Sequence, residues 1–356
     1  MTEPALLAAA HQRQGEQLPI WFMRQAGRSL PEYRETRAGT QMLESCFDAD
    51  MVTEITLQPV RRHGVDGAVF FSDIMVPLKA AGVDLDIVPG TGPVVASPIR
   101  TAADLDRLLA HELDPSSLEP IGRAARQLVA ALDPQVPLIG FAGAPFTLAS
   151  YLVDGGPSND HAQAKAFMVG EPELWHRICS WLATISSAFL AEQVAGGARI
   201  VQLFDSWAGS LTEADYREHV LPHSKAVLAS LPADLPRIHF GVGTTELLPA
   251  MTEALDTTLP GGVIGVDWRT PLDDAAVRVG GRTAVQGNLD PALLTAPWEV
   301  LADRVRQVIT AGAKAPGHIF NLGHGVPPTT DAGVLTRIVE LVHTEGPALR
   351  ARALQG

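Results

Sequence analysis

Short apolar runs rich in β-branched or aromatic residues recur along the chain at 19–24, 68–73, 137–143, 199–205, 237–241, 263–267, 283–288 and 318–323. Each gives way to a turn containing Gly, Asp or Ser and then to positions with helical periodicity. The clearest helix is predicted over 171–194, with Pro172 at a favoured first-turn position and Gly196-Gly197 as its stop. Others are predicted over 118–132, 298–311 and 334–343. Strand and helix alternation predicts a parallel sheet, and eight repeats fit a closed α/β barrel, the (β/α)8 TIM type, better than an open doubly wound sheet. The first run is irregular, because Gly27, Arg28 and a turn at Pro31 follow it; it is either a barrel strand or an N-terminal extension. Alternating apolar positions over 83–95 surround Pro89-Gly90-Thr91-Gly92-Pro93, which predicts a hairpin on the barrel rim. No repeat, low-complexity tract or linker divides the chain, so a single domain over 1–356 is predicted, with the active site at the C-terminal ends of the strands.

Composition narrows the function classes. Hydrophobic residues make up 46% and charged residues 19%, enough for a substantial core and against disorder. The first residues carry no basic lead-in or small-residue cleavage site, and no unbroken apolar stretch approaches the ~18 to 20 residues of a membrane helix. A cytoplasmic protein without a membrane partner is expected. A net charge of −13 disfavours nucleic acid as a partner. Cys46 and Cys179 are too few for a disulfide framework and lack metal-ligand spacing, so buried reduced thiols are expected and no metal site is predicted. Seven arginines, among them Arg24, Arg28 and Arg37, precede the first lysine, Lys79. Guanidinium groups hold carboxylates bidentately where lysine offers a point charge, although a chain with four lysines in all simply favours arginine.

Arg24, Asp73, Asp205-Ser206, Asp267 and His324 all fall at the C-terminal ends of predicted strands, where a barrel of this type builds its site. For any one of the aspartates or the serine, a turn or helix-cap role is at least as good an explanation; it is their joint placement that points to function. Gly90-Thr91-Gly92 and Gly241-Val242-Gly243 do not complete a dinucleotide fingerprint, and Pro93 removes an amide such a loop needs. His219 and His223 are separated by Pro222 and lack a His-Glu-x-x-His order, so a structural role is expected for them.

Three groups of residues are more specific. Residues 19–28, PIWFMRQAGR, and residues 140–151, GFAGAPFTLASY, resemble the two signatures of the uroporphyrinogen decarboxylase family. Phe71-Ser72-Asp73, Leu203-Phe204-Asp205-Ser206, Gln286-Gly287-Asn288-Leu289-Asp290 and Asn321-Leu322-Gly323-His324-Gly325 match that family in the same order. The resemblance runs from about 18 to 343, with one departure at Asp154, where the family pattern has Glu or Ala.

The resemblance implies a (β/α)8 barrel, commonly a homodimer, that removes the carboxyl groups of the four acetates of uroporphyrinogen to give coproporphyrinogen and carbon dioxide, without metal or other cofactor. It implies Arg24, Arg28, Arg37, Asp73, Tyr151, Ser206 and His324 as the substrate-binding residues, with Arg24, Asp73, Tyr151 and His324 catalytic. Losing carbon dioxide from an arylacetate leaves a carbanion, and a pyrrole protonated on carbon accepts its electrons, so the substrate is its own electron sink. Asp73 is the candidate to oppose the cationic ring, and Arg28 and Arg37 to anchor carboxylates. Arg24 either holds the reacting acetate or relays a proton through it or a water, being too weak an acid to donate directly. Tyr151, Ser206 and His324 offer neutral hydrogen bonds. Zinc-dependent thiol methyltransferases share the barrel, but their His-x-Cys pair has no counterpart in His239-Phe240-Gly241.

Overall fold

In the computed structural model, which describes residues 3–13, 15–110, 113–256, 258 and 260–355, seven parallel strands make one curled sheet. They are β1 (Ala68–Val69), β4 (Leu138–Gly143), β5 (Ile200–Asp205), β6 (Arg237–Gly241), β7 (Gly262–Gly265), β8 (Ala284–Leu289) and β9 (His318–Leu322), hydrogen-bonded in that order. The remaining two strands, β2 (Leu85–Val88) and β3 (Gly92–Val95), form the antiparallel rim hairpin, with Val88 opposite Gly92. Strands β4, β6, β7, β8 and β9 are buried at every position. That is why they read as unbroken apolar runs and not as alternating ones.

The first predicted run fills the eighth place in the ring, but as a single bridge instead of a strand. Ile20 pairs in parallel with Phe320; the Phe320 N–H donates to Pro19 O (2.8 Å) and the Trp21 N–H to Phe320 O (3.3 Å). On the other side the Asp66 N–H donates to Ile20 O, and Asp66 Oδ2 accepts the Ile20 N–H, both at 2.8 Å. Residues 19–21 therefore join β9 to the start of β1 and close the barrel. The run stops short of 24 because the Gln25 side chain takes the Phe22 N–H (2.9 Å) and the Asn321 side chain the Met23 N–H (3.0 Å), after which Arg24 turns to φ +60°. β1 is likewise shorter than 68–73, since the Phe71 N–H leaves the ladder for Thr56 Oγ1 (2.9 Å).

Inside the ring a buried polar chain crosses the barrel: Trp21 Nε1 donates to Gln286 Oε1 (3.0 Å), and Gln286 Nε2 to Gln202 Oε1 (2.8 Å). It ties the closing segment to β8 and, across the barrel, to β5 while leaving these amides partnered. Outside, the helix Pro172–Ala195 buries Trp175, Ile178, Leu182 and Phe189, and its Gln193 side chain hydrogen-bonds both the N–H and the carbonyl of Phe141 in β4. Length and hydropathy alone would let this helix cross a membrane, and half of its most apolar window is buried within the fold.

Candidate active site

The mouth of the barrel is built from the segments that leave the C-terminal ends of the strands. After β1 the chain turns through Ser72 and Asp73 into the helix Val76–Ala80, and Asp73 Oδ1 accepts the Met75 N–H at 2.9 Å. The cap role foreseen for an aspartate here is thus present, and the second carboxylate oxygen remains for other partners. Burial raises the Asp73 pKa, against the Met75 N–H and the positive charge of Arg24, which both favour the anion. Beneath it lies the buried Cys46, whose thiol is pushed up by burial and by the Asp73 charge while Arg37 opposes.

Arg24 extends from its left-handed backbone across Gly325, whose Cα it packs against closely enough that any Cβ there would meet Arg24 Cγ at 2.7 Å. Among the described residues its guanidinium makes no hydrogen bond, yet its charge is felt by Asp73, Tyr151 and His324. Tyr151 lies on the helix Pro145–Asp154 that follows β4. Its phenol is pushed up to about 12, by burial first and then by the Asp73 carboxylate, and therefore stays a hydrogen-bond donor across the physiological range. The ring lies against Trp207, with centroids 4.1 Å apart, which brings the segment after β5, with Ser206, to the same place.

His324 follows β9. Its Nδ1 accepts the Gly325 N–H at 2.7 Å, which assigns the proton to Nε2. Burial and then the Arg24 charge lower its pKa to about 4, so at neutral pH the ring is an uncharged donor. Four of the seven sequence-predicted residues, Arg24, Asp73, Tyr151 and His324, are thereby within one electrostatic environment.

The other three are less central. Ser206 is half-buried beside Trp207. Arg37 is held by Tyr33 Oη (3.1 Å) and Thr40 O (3.0 Å), and its charge acts on Cys46. Arg28 is exposed, and its side chain has no partner among the described residues. Of the other strand-end candidates, Asp205 is fully buried, receives the Thr147 hydroxyl (2.8 Å) and is pushed up to about 7 by burial. Asp267 is also buried and accepts the Gly243 N–H at 2.6 Å. Both brace the rim loops. Trp207 was missed by sequence reasoning although it directly follows Leu203-Phe204-Asp205-Ser206; Cys46 is a buried free thiol as expected, and only its nearness to Asp73 went unforeseen. His239 is buried with Nδ1 on the Met251 carbonyl (3.1 Å), and His219 and His223 meet His176 between outer helices, with His223 Nε2 2.8 Å from His176 Nδ1. Among the described residues no group of three His, Cys, Asp or Glu side chains is disposed to hold a metal.

A model of the family described as uroporphyrinogen decarboxylase matches residues 1–345. The chain belongs to the uroporphyrinogen decarboxylase family. Curated uroporphyrinogen decarboxylases similar to it include that of Salinispora tropica, 61% identical over 94% of this chain and 88% of the relative. That of Frankia casuarinae is 58% identical over 96% and 90%. That of Thermobifida fusca is 56% identical over 97% and 94%. Among solved structures, a methyltransferase from Methanosarcina mazei superimposes with a TM-score of 0.77 over 95% of this chain and 96% of its own, at 16% identity. A B12-independent methionine synthase from Shewanella reaches 0.54 over 87% and 89%, at 13% identity. At such identities these two share the barrel alone.

Proposed function

We propose that this chain is a uroporphyrinogen decarboxylase: it removes the four acetate carboxyl groups of uroporphyrinogen III, releasing carbon dioxide and coproporphyrinogen III on the way to heme and related tetrapyrroles. The observation that carries the reading is the convergence of one carboxylate, Asp73, with the unpaired guanidinium of Arg24, the Tyr151 phenol and the neutral His324 at the barrel mouth of a chain in this family. We propose further that the chain works as one domain over 1–356, as a cytoplasmic homodimer, with no metal or organic cofactor and no nucleic-acid or membrane partner.

The geometry suits each step. Protonation of a pyrrole carbon places positive charge on the ring, and the Asp73 oxygen not used by Met75 accepts from the pyrrole N–H groups and opposes that charge. Burial makes this carboxylate costly in the empty site, so stabilisation is greatest when the cation forms. Arg24 orients the reacting acetate, and the proton reaches the ring through that carboxylate or a water. Tyr151, Ser206 and His324 donate uncharged hydrogen bonds to substrate carboxylates, while Arg28 and Arg37 anchor carboxylates farther from the reacting ring.

The decisive assay is anaerobic incubation with uroporphyrinogen III, followed by oxidation and separation of the porphyrins by carboxyl number. Stepwise appearance of products down to four carboxyls, unaffected by exhaustive chelation, is expected. Absence of decarboxylation, or a zinc-dependent methyl transfer to a thiol, would overturn the reading.

A further inference from the structure

Arg269 is a second guanidinium on the rim, two residues beyond Asp267 in the loop after β7. It is rigidly held. Asp267 Oδ1 accepts the Arg269 N–H (3.0 Å), Oδ2 pairs with Nη1, and the guanidinium carbon lies 4.2 Å from the centre of the Trp268 ring. Even so the side chain is 50% exposed. Its loop abuts the one that carries His324: a Cβ on Gly323 would come within 2.9 Å of Trp268 Cβ and 3.0 Å of the Asp267 carbonyl carbon.

The strand order places these groups. Around the ring β7 is followed by β8, β9, the closing segment at Ile20 and then β1, so Arg269, after β7, and Arg24, after the closing segment, leave the rim on opposite sides of His324, which follows β9. Asp73, after β1, lies on the Arg24 side, and the charges of both arginines reach His324. We propose that Arg269 is a substrate-binding residue that grips a propionate carboxylate of the tetrapyrrole, one the reaction leaves in place. The inference rests on the tetrapyrrole reading above. The reacting acetate must lie beside Asp73, so a carboxylate held beyond His324 is not the one being lost. An acetate there would disappear as turnover proceeds, while a propionate persists through every intermediate and into the product. A guanidinium has five N–H donors, and the pair with Asp267 leaves the exposed ones free; holding the fork in place beforehand lowers the entropy lost on binding.

The test compares the parent with Arg269→Gln and Arg269→Lys in the anaerobic assay, measuring KM for uroporphyrinogen III, the inhibition constant of coproporphyrinogen III, kcat and Tm. Loss of one charge-assisted contact should raise KM and the inhibition constant together, each by roughly tenfold, with a smaller change in kcat and a weaker salt dependence of KM. Lys should recover part of the loss. A rise in KM alone would assign an acetate to Arg269 and overturn the proposal. A lower Tm with both constants at parental values would make Arg269 a structural pin on the loop, and would overturn it too. Failure of the parent to decarboxylate uroporphyrinogen would instead sink the tetrapyrrole reading, and the inference with it.

Discussion

Arg24 and Gly325 share one small volume: the arginine side chain runs through the space where a side chain on residue 325 would stand. The glycine is thus part of the geometry that sets the path of Arg24. Gly325→Ala should push the guanidinium aside without unfolding the barrel, and a displacement of ~1 Å near the chemistry can cost on the order of a hundredfold in rate. The expected outcome is a drop in kcat/KM of about ten- to a hundredfold with Tm nearly unchanged. Parental kinetics in this variant would show that Arg24 does not need its observed path.

Asp73→Asn keeps a cap for the Met75 N–H but removes the charge that opposes a cationic ring. Tetrapyrrole binding should survive and single-turnover decarboxylation nearly vanish. Asp73→Glu keeps the charge and displaces it by a methylene, so it should retain more activity than Asn if charge matters more than position. If Asn turns over within a few-fold of the parent, Asp73 is only a cap.

Arg28 is exposed without a side-chain partner, so its replacement has little folded-state contact to lose. Arg28→Lys should therefore leave Tm alone, while a bidentate carboxylate contact becomes a point contact and KM rises several-fold. An unchanged KM would remove Arg28 from the binding set.

Acid should destabilise the barrel in a defined window. His239 and His318 are buried, and burial, partly offset by backbone carbonyl partners, depresses each ring to about 4. An unfolded chain takes up these protons near pH 6.5, whereas the folded one resists until about 4. Stability is therefore full above pH 6.5 and lost progressively as pH falls from there toward 4, by on the order of 1 to 3 kcal/mol for each ring. Urea midpoints at pH 7 and pH 5 measure this, and His318→Gln should narrow the difference. Equal midpoints at the two pH values would contradict it.

The barrel was legible because its strands are buried on both faces, so that segments such as Ile200–Asp205 and His318–Leu322 stand out as apolar runs. The ends of the runs were not, since side chains intercept the ladder: Gln25 takes the Phe22 N–H and Thr56 the Phe71 N–H, and neither capture shows in local periodicity. Strand-end position marked Arg24, Asp73 and His324, but could not separate them from Asp205, whose Oδ1 takes the Thr147 hydroxyl, and Asp267, which holds the Gly243 N–H. Ser206 was marked by strand-end position as well as by motif, whereas Tyr151, Arg28 and Arg37 came from motif resemblance alone. Arg269 went unremarked because an arginine two residues after a turn aspartate reads as an ordinary loop cation, and the nearness of Cys46 to Asp73 was not legible because it is purely a matter of tertiary packing.

The segment that closes the ring also delivers Arg24. Ile20 meets Phe320 across 300 residues of sequence, so during synthesis the N-terminal stave leaves the ribosome long before the strand it leans on has been made. Until that strand arrives, the arginine next to the stave has neither Gly325 to lie across nor a barrel mouth to face. The last strand thus fixes the first, and a chain truncated before residue 318 would leave Ile20 without its partner and Arg24 without the glycine that sets its path.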